Sequence, residues 1–326
     1  MPDVDGLVAG VLAGDRRSLA RAITLVESTR DDHRAAADEV VARVLDRTGR
    51  SVRIGVSGAP GAGKSTFVEA FGLHLVAAGH RVAVLAVDPS STRSGGSILG
   101  DKTRMADLAR HPAAFVRPSP SGGSTGGVAR RTREALLLCE AAGFDRVLVE
   151  TVGVGQAEVA VSELVDLFLL LAAPGGGDEL QAIKRGIAEL ADVVVVTKAD
   201  GELAGPARHA AADWKAALQL VRPSHPEWQP RVVLVSSVTG DGIADVDAAV
   251  AEFGAALGEA GIARLRADQA RSWMWREVTD SVLDRLRRDP EVRRLLHRLE
   301  AEVAAGAIAP GAAARRLLDA FLASGR

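Results

Sequence analysis

The sequence predicts an α/β fold: a three-layer sandwich with helices on both faces of a mostly parallel central sheet, extended by helices at both ends of the chain. Three observations carry this expectation. Between about residues 50 and 255, six short β-branched apolar runs alternate with amphipathic stretches, the pattern of repeated strand-helix units. A glycine-rich loop follows the first run and opens a helical stretch. Before residue 50 and after residue 258, apolar positions recur at intervals of three and four, the helical period.

With 326 residues, the chain is long enough for one substantial core with helical additions. The expected division is an N-terminal helical extension (1–50), the sheet-bearing domain (51–257) and a C-terminal helical arm (258–326). Two helices are expected in the extension, through residues 18–26 and 35–45. Their simplest role is to cover the sheet.

The expected strands are residues 52–57, 81–87, 145–150, 167–172, 193–197 and 231–236, each a run of Val, Ile, Leu or Ala bounded by breakers. Clusters of Gly, Pro and Ser at 89–100, 118–127 and 174–177 read as loops longer than a connection needs, and such loops at strand ends carry function. The stretch 118–133, rich in Gly, Ser and Arg, reads equally as a partner surface or a flexible connection.

In the arm, Met274, Val278, Val282 and Leu286 are spaced by four, Asp289 sits where a cap belongs, and Pro290 occupies a first helical position. A further stripe runs through Val292, Leu295, Leu296, Leu299 and Val303. This apolar surface exceeds what one sheet edge needs, which favours packing against a second copy of the chain as a homodimer.

Charge and composition narrow the function. The 40 basic and 42 acidic residues are interspersed and leave a net charge of -2, so no overall field favours nucleic acid or membrane as a partner. The single cysteine, Cys139, excludes a disulfide framework, a thiolate zinc site or an iron-sulfur cluster built by this chain alone. The start, Met1 to Asp5, lacks a basic, apolar leader, and the greasy stretch 167–173 is too short to span a bilayer, so a cytoplasmic location is expected. Lysines stand only at 64, 102, 184, 198 and 215, so 40 basic residues less these five leaves 35 arginines. An arginine-rich chain keeps lysine where a compact ammonium is needed.

Gly58, Ala59, Pro60, Gly61, Ala62, Gly63, Lys64, Ser65 and Thr66 form G-x-x-x-x-G-K-[ST] in its required context, after a strand and opening a helix. Successive backbone N–H groups there converge on a phosphate, the helix N-terminus adds partial positive charge, and Lys64 reaches the outer phosphates. The fold class is therefore that of a P-loop NTPase. Ser65 presents a hydroxyl to Mg2+, which needs oxygen ligands, and Asp88, Asp101 and Glu150, at or beyond strand ends, are the acidic candidates. A helix cap or a solvated loop carboxylate is the structural alternative for each.

Thr197, Lys198, Ala199 and Asp200 follow the run 193–196, where a guanine-specific N-K-x-D motif is placed. The Asp200 carboxylate would accept two hydrogen bonds from guanine N1 and its exocyclic amine, and the Lys198 stem would lie along the base. Thr197 departs from the usual Asn. Ser236, Ser237 and Val238, after the next strand, suit a loop at the base edge, which makes bound GTP or GDP the expected nucleotide.

On these residues the chain resembles the MeaB/MMAA (ArgK) GTPases that accompany adenosylcobalamin-dependent acyl-CoA mutases. The resemblance spans nearly the whole chain through GDRRSLARAITLVES (14–28), the phosphate loop, VDPSS (87–91), GSILGDKTRM (96–105), ETVGVGQ (150–156) and GDELQAIKRG (177–186). It implies a homodimer joined through the C-terminal arms, Mg2+ around Ser65, Asp88, Asp101 and Glu150, and switches at 90–102, 150–158 and 175–184. It also implies catalytic roles for Lys64, Glu150 and Lys184, and a G-protein chaperone that gates cofactor loading of a mutase, most simply methylmalonyl-CoA mutase. A cobalamin adenosyltransferase is a further implied partner. No Gln stands immediately after Gly153 to orient water, so turnover by the chain alone is expected to be slow until a partner orders Lys184, Gln181 or Asp178. Two other enzyme readings share the loop, a metal-insertion GTPase and a small-metabolite kinase. The first lacks soft ligands at metal spacing, and the second has no use for Asp200.

Overall fold

The computed structural model describes residues 3–28, 30–87, 105–117, 125–151, 157–175 and 187–324. They fall into two compact units, Met1–Gln269 and Ala270–Arg326.

The first unit is built on a parallel sheet of seven described strands: β1 (Val52–Gly58), β2 (Val82–Val87), β3 (Ala114–Arg117), β4 (Arg146–Thr151), β5 (Leu167–Ala172), β6 (Val193–Val196) and β7 (Arg231–Leu234). Their order is β3-β2-β4-β1-β5-β6-β7. Register aligns Val56 with Glu150, Gly58 with Leu171, Ala172 with Val196 and Val196 with Leu234, so the carboxyl ends share one edge. The six expected strands are present, within one or two residues at their ends. β3 was not expected: it has four residues, with only Phe115 and Val116 as β-formers.

Strand residues alternate between two cores. Leu169, Leu171, Val193 and Val195 face Phe67, Phe71 and Leu75 of α4 (Lys64–Ala77) and Val246, Val250 and Phe253 of the helix that follows β7. Leu170, Ala172, Val194 and Val196 face Ala207, Ala211 and Trp214 of α8 (Ala204–Leu218). This confirms the three-layer expectation.

Three N-terminal helices are present where two were expected: α1 (Val4–Leu12), α2 (Arg16–Val26) and α3 (Asp31–Val44). Asp3 caps α1 by accepting from Gly6 N at 2.9 Å, and Asp15 caps α2 by accepting from Ser18 N at 2.7 Å. They pack on one another and chiefly on α6 (Thr125–Ala141), which in turn packs on β2 and β4, so they cover a helix more than the sheet. The start of α6 also corrects the loop expected at 118–127. The remaining helices of this unit are α5 (Ala106–Arg110), α7 (Ala157–Ser162) and the first part of α9 (Ile243–Arg288), which bends at Gly258 (φ 64°).

The amino ends of the strands carry a network of buried charge. Arg53 is paired with Glu140 through Nε and Nη2 at 2.8 and 3.0 Å, and Glu140 also accepts from Ser51 Oγ at 2.5 Å and Gly49 N at 2.8 Å. Arg266 of α9 meets Asp166 at 2.8 and 2.6 Å and donates to Gly49 O and Ser51 O, while Gln269 donates to Val165 O at 2.7 Å.

The second unit contains the end of α9, α10 (Pro290–Ala304) and α11 (Pro310–Ser324), the last beyond the apolar stripe that ends at Val303. Asp289 caps α10 by accepting from Glu291 N and Val292 N at 2.8 and 3.1 Å, with Pro290 in the first turn as expected. Ser324 Oγ donates to Asp289 at 2.6 Å and closes α11 onto that cap. Val292 and Leu299 are buried, but Met274 (55%), Trp275 (64%), Val278 (44%) and Val282 (47%) are exposed.

Asp192, at the foot of β6, is buried and accepts from Phe168 N at 2.8 Å, with His225 Nε2 3.8 Å away. Burial pushes its carboxyl up to about 7, against about 3.9 when unfolded. Between these values the folded chain keeps a proton that the unfolded chain has released, so stability falls as pH rises from about 4 to about 7. Asp192→Asn removes this contribution. In calorimetric melts the variant gains on wild type between pH 5 and pH 8, and parallel pH profiles for the two proteins would contradict the assignment.

Candidate nucleotide and metal site

The chain runs from β1 outward to β2 and β3, returns through β4, and then crosses β1 to build β5, β6 and β7 on the other side. The strand order therefore reverses at β1, and the crevice outside the carboxyl ends at such a point is where open α/β sheets bind ligands. The sequence candidates among the described residues gather there.

The phosphate loop connects β1 to α4. Gly58 ends the strand so close to β5 that a Cβ would lie 2.3 Å from Leu171 O, which only glycine avoids. Gly61 and Gly63 both adopt left-handed backbone (φ 83° and 85°), and Gly63 is the residue from which α4 starts. Ala62 is buried, Ala59 half-buried, and Pro60, Gly61 and Thr66 are exposed. Lys64 Nζ lies over the mouth of the loop, donating to Gly58 O at 2.7 Å and Ala59 O at 3.2 Å. Burial lowers its affinity for the proton, and the nearby Glu150 and Glu158 carboxylates oppose that shift.

Ser65 Oγ, one residue on, donates to Glu150 Oε1 at 3.1 Å. Glu150 is buried at the end of β4, where Thr151 Oγ1 and Ser57 Oγ, 2.8 Å apart, tie β4 to β1. A hydroxyl beside a carboxylate, both oxygen donors, fits Mg2+. Asp88, Asp101 and Lys184, with Gln181, Asp178 and most of the expected switches, lie outside the described residues.

The base-reading candidates sit beyond β6 and β7. Thr197, in place of the usual Asn, is 2% exposed, and its Oγ1 lies 2.7 Å from Ala62 O and 3.1 Å from Ala172 O. Its hydroxyl thus joins the loop after β6 to the phosphate loop. Lys198 follows in left-handed backbone (φ 54°) with its side chain exposed. Asp200 is half-buried and accepts from the fully buried Ser236 Oγ, which orients the carboxylate, and Ala199 N donates to Val235 O at 3.1 Å. Ser237 is half-buried and Val238 is 84% exposed, in the turn closed by Thr239 N donating to Ser236 Oγ at 3.1 Å.

The sequence marks Thr197 only as a departure from the usual Asn and does not single out Glu158, which is 3% exposed on α7 and acts electrostatically on Lys64. Its place eight residues after Glu150 follows no ligand spacing. The Thr197 contact joins residues 135 positions apart.

The family described as Methylmalonyl Co-A mutase-associated GTPase MeaB matches residues 19–291. A protein of Mycobacterium bovis named Probable GTPase Mb1533 is 54% identical over 97% of this chain and 94% of its own. The Mus musculus protein named Methylmalonic aciduria type A homolog, mitochondrial, is 48% identical over 98% of this chain and 79% of its own. A crystal structure titled LAO/AO transport system kinase superposes with a TM-score of 0.78 at 36% identity, covering 98% of both chains.

Substitutions at two positions test the geometry. Thr197→Val keeps the shape but strands Ala62 O in a buried place, at a cost of about 1–3 kcal/mol. GDP affinity by calorimetry then falls roughly tenfold, and Thr197→Asn restores it; unchanged affinity in Thr197→Val would show that the tie is idle. Asp200→Asn exchanges an acceptor for a donor, so the variant loses guanine nucleotides and gains xanthine nucleotides in competition binding. A wild type that prefers ATP would refute the base assignment.

Proposed function

The chain belongs to the MeaB family of methylmalonyl-CoA mutase-associated GTPases, and on that premise we propose that it hydrolyses GTP to GDP and phosphate as the G-protein chaperone of an adenosylcobalamin-dependent acyl-CoA mutase. In this role it gates cofactor loading and protects or reactivates the mutase, most simply methylmalonyl-CoA mutase. The observation that carries the nucleotide part is the joining of Ala62 in the phosphate loop to the Asp200 loop through the Thr197 hydroxyl, so that phosphate grip and base reading share one rigid seat.

In the proposed reaction the amides of residues 61–66 hold the β- and γ-phosphates, and Lys64 turns its ammonium from the loop carbonyls to the outer phosphate oxygens. Ser65 and Glu150 would hold Mg2+, with Asp88 and Asp101 as further candidate ligands, and the ion would supply neutralisation of charge on the phosphoryl group. Asp200, steadied by Ser236, selects guanine, with Lys198, Ser237 and Val238 around the base. The bound mutase orders Lys184, Gln181 or Asp178 into place to complete the site. The kinase reading finds no such use for Asp200, and the metal-insertion reading lacks soft ligands at metal spacing.

A homodimer through the C-terminal helices is the second part of the proposal, supported by the exposed apolar row Met274, Val278 and Val282. A cytoplasmic location and a cobalamin adenosyltransferase as an additional partner complete it. No described helix is long and apolar enough to cross a membrane.

Phosphate release is the first test. The chain alone turns over slowly, and saturating acyl-CoA mutase accelerates it on the order of tenfold or more, as expected when a partner orders a missing charge. Equal rates with and without mutase defeat the gating role. Light scattering is the second. Wild type has the mass of two chains, and the double variant Val278→Asp, Val282→Asp that of one. A wild type that weighs one chain rejects the dimer.

A further inference from the structure

Helix α5 (Ala106–Arg110) has five residues, too few to be stable alone, yet both of its ends are held. At its start, Glu69 Oε1 accepts from Asp107 N at 2.9 Å and Leu108 N at 3.3 Å. At its end, Arg16 Nη1 donates to His111 O at 3.1 Å and Nη2 to Ala109 O at 3.3 Å. Met105, just before the helix, and Leu108 within it are fully buried. The two holds come from different places, Glu69 from α4 and Arg16 from α2.

Ser65 and Glu69 are four residues apart on α4 and so share one face of that helix. One member of this pair meets Glu150 at the strand edge, and the other meets α5. The second Glu69 oxygen, Oε2, is buried with no hydrogen-bond partner among the described residues. A carboxylate kept half-satisfied in this way is costly, and its return is the cap it places on α5.

We propose that Glu69 is a positioning residue for magnesium-nucleotide binding: from the helix that carries Ser65 it fixes α5, and with it Met105, the first described residue after Val87, while Arg16 of the N-terminal helices holds the far end. By sequence, Asp88 and Asp101 belong to the span between Val87 and Met105, outside the described residues, so the inference concerns the anchor of that span alone. It gives α2 a task beyond covering α6. The inference rests on the magnesium-GTP reading above.

The test is a Mg2+ titration of fluorescent mant-GTP binding to the full chain, with mant-GDP binding in EDTA as the metal-free control. Glu69→Ala raises the half-saturating Mg2+ about tenfold, the scale of one lost helix cap, and leaves the EDTA affinity within about twofold. Glu69→Gln keeps an acceptor at Oε1 and stays near wild type. An unchanged Mg2+ requirement in Glu69→Ala, or an equal loss in Glu69→Gln, overturns the positioning role and leaves the GTPase reading intact. A wild type whose GTP binding ignores Mg2+ overturns both. Should Glu69→Ala yield no folded protein, Arg16→Gln cuts the other end of α5 without touching α4. It then raises the Mg2+ requirement in the same direction, and no shift in that variant overturns the brace.

Discussion

The parallel register of the sheet is the constraint on which the site depends. Because β1, β4, β5, β6 and β7 all point one way, the residues that leave them are delivered to a single edge: the phosphate loop after Gly58, Glu150 at the end of β4, Thr197 to Asp200 after β6 and Ser236 after β7. None of these groups is near another in sequence. They meet because hydrogen-bond register, set by alternating burial of Leu169 and Leu171 on one face and Leu170 and Ala172 on the other, leaves each strand no freedom to slip.

On that edge, short-range hydrogen bonds turn neighbours into a site. Ser65 to Glu150 links the phosphate loop to β4, Thr197 to Ala62 links it to the loop after β6, and Ser236 to Asp200 links the loops after β6 and β7. Each is a small polar side chain, Thr197 and Ser236 at or near full burial and Ser65 half-buried, and in such places an unmade bond costs more than a made one contributes. The crevice is thus pre-organised by hydroxyls as much as by glycines, and Thr197 is one of these hydroxyls in a position usually held by an amide.

Much of the fold was legible because Val, Ile and Leu runs bounded by breakers mark buried parallel strands. β3 was not, since Phe115 and Val116 alone make no pattern. Helix α1 escaped because Gly6 and Gly10 weaken its signal, and the start of α6 was hidden by Gly126 and Gly127. At the site, Lys64, Ser65 and Asp200 were legible because their chemistry requires a local spacing. The tie from Thr197 to Ala62, the cap from Glu69 to α5 and the proximity of Glu158 to Lys64 were not, because they join segments that only the tertiary fold brings together.

The charge network at the opposite edge bears on how separable the central block is. Glu140 relies on Gly49 as well as on Arg53 and Ser51, and Asp166 relies on Arg266. Excision of residues 51–257 would keep every motif of the crevice but cut away Gly49 and Arg266, leaving Asp166 without its cation and Glu140 short of one donor in a dry place. Such a fragment would carry the recognition chemistry and lack one counter-ion and one donor of its own foundation. Modularity in this chain is therefore a property of the motifs and not of the polypeptide that bears them.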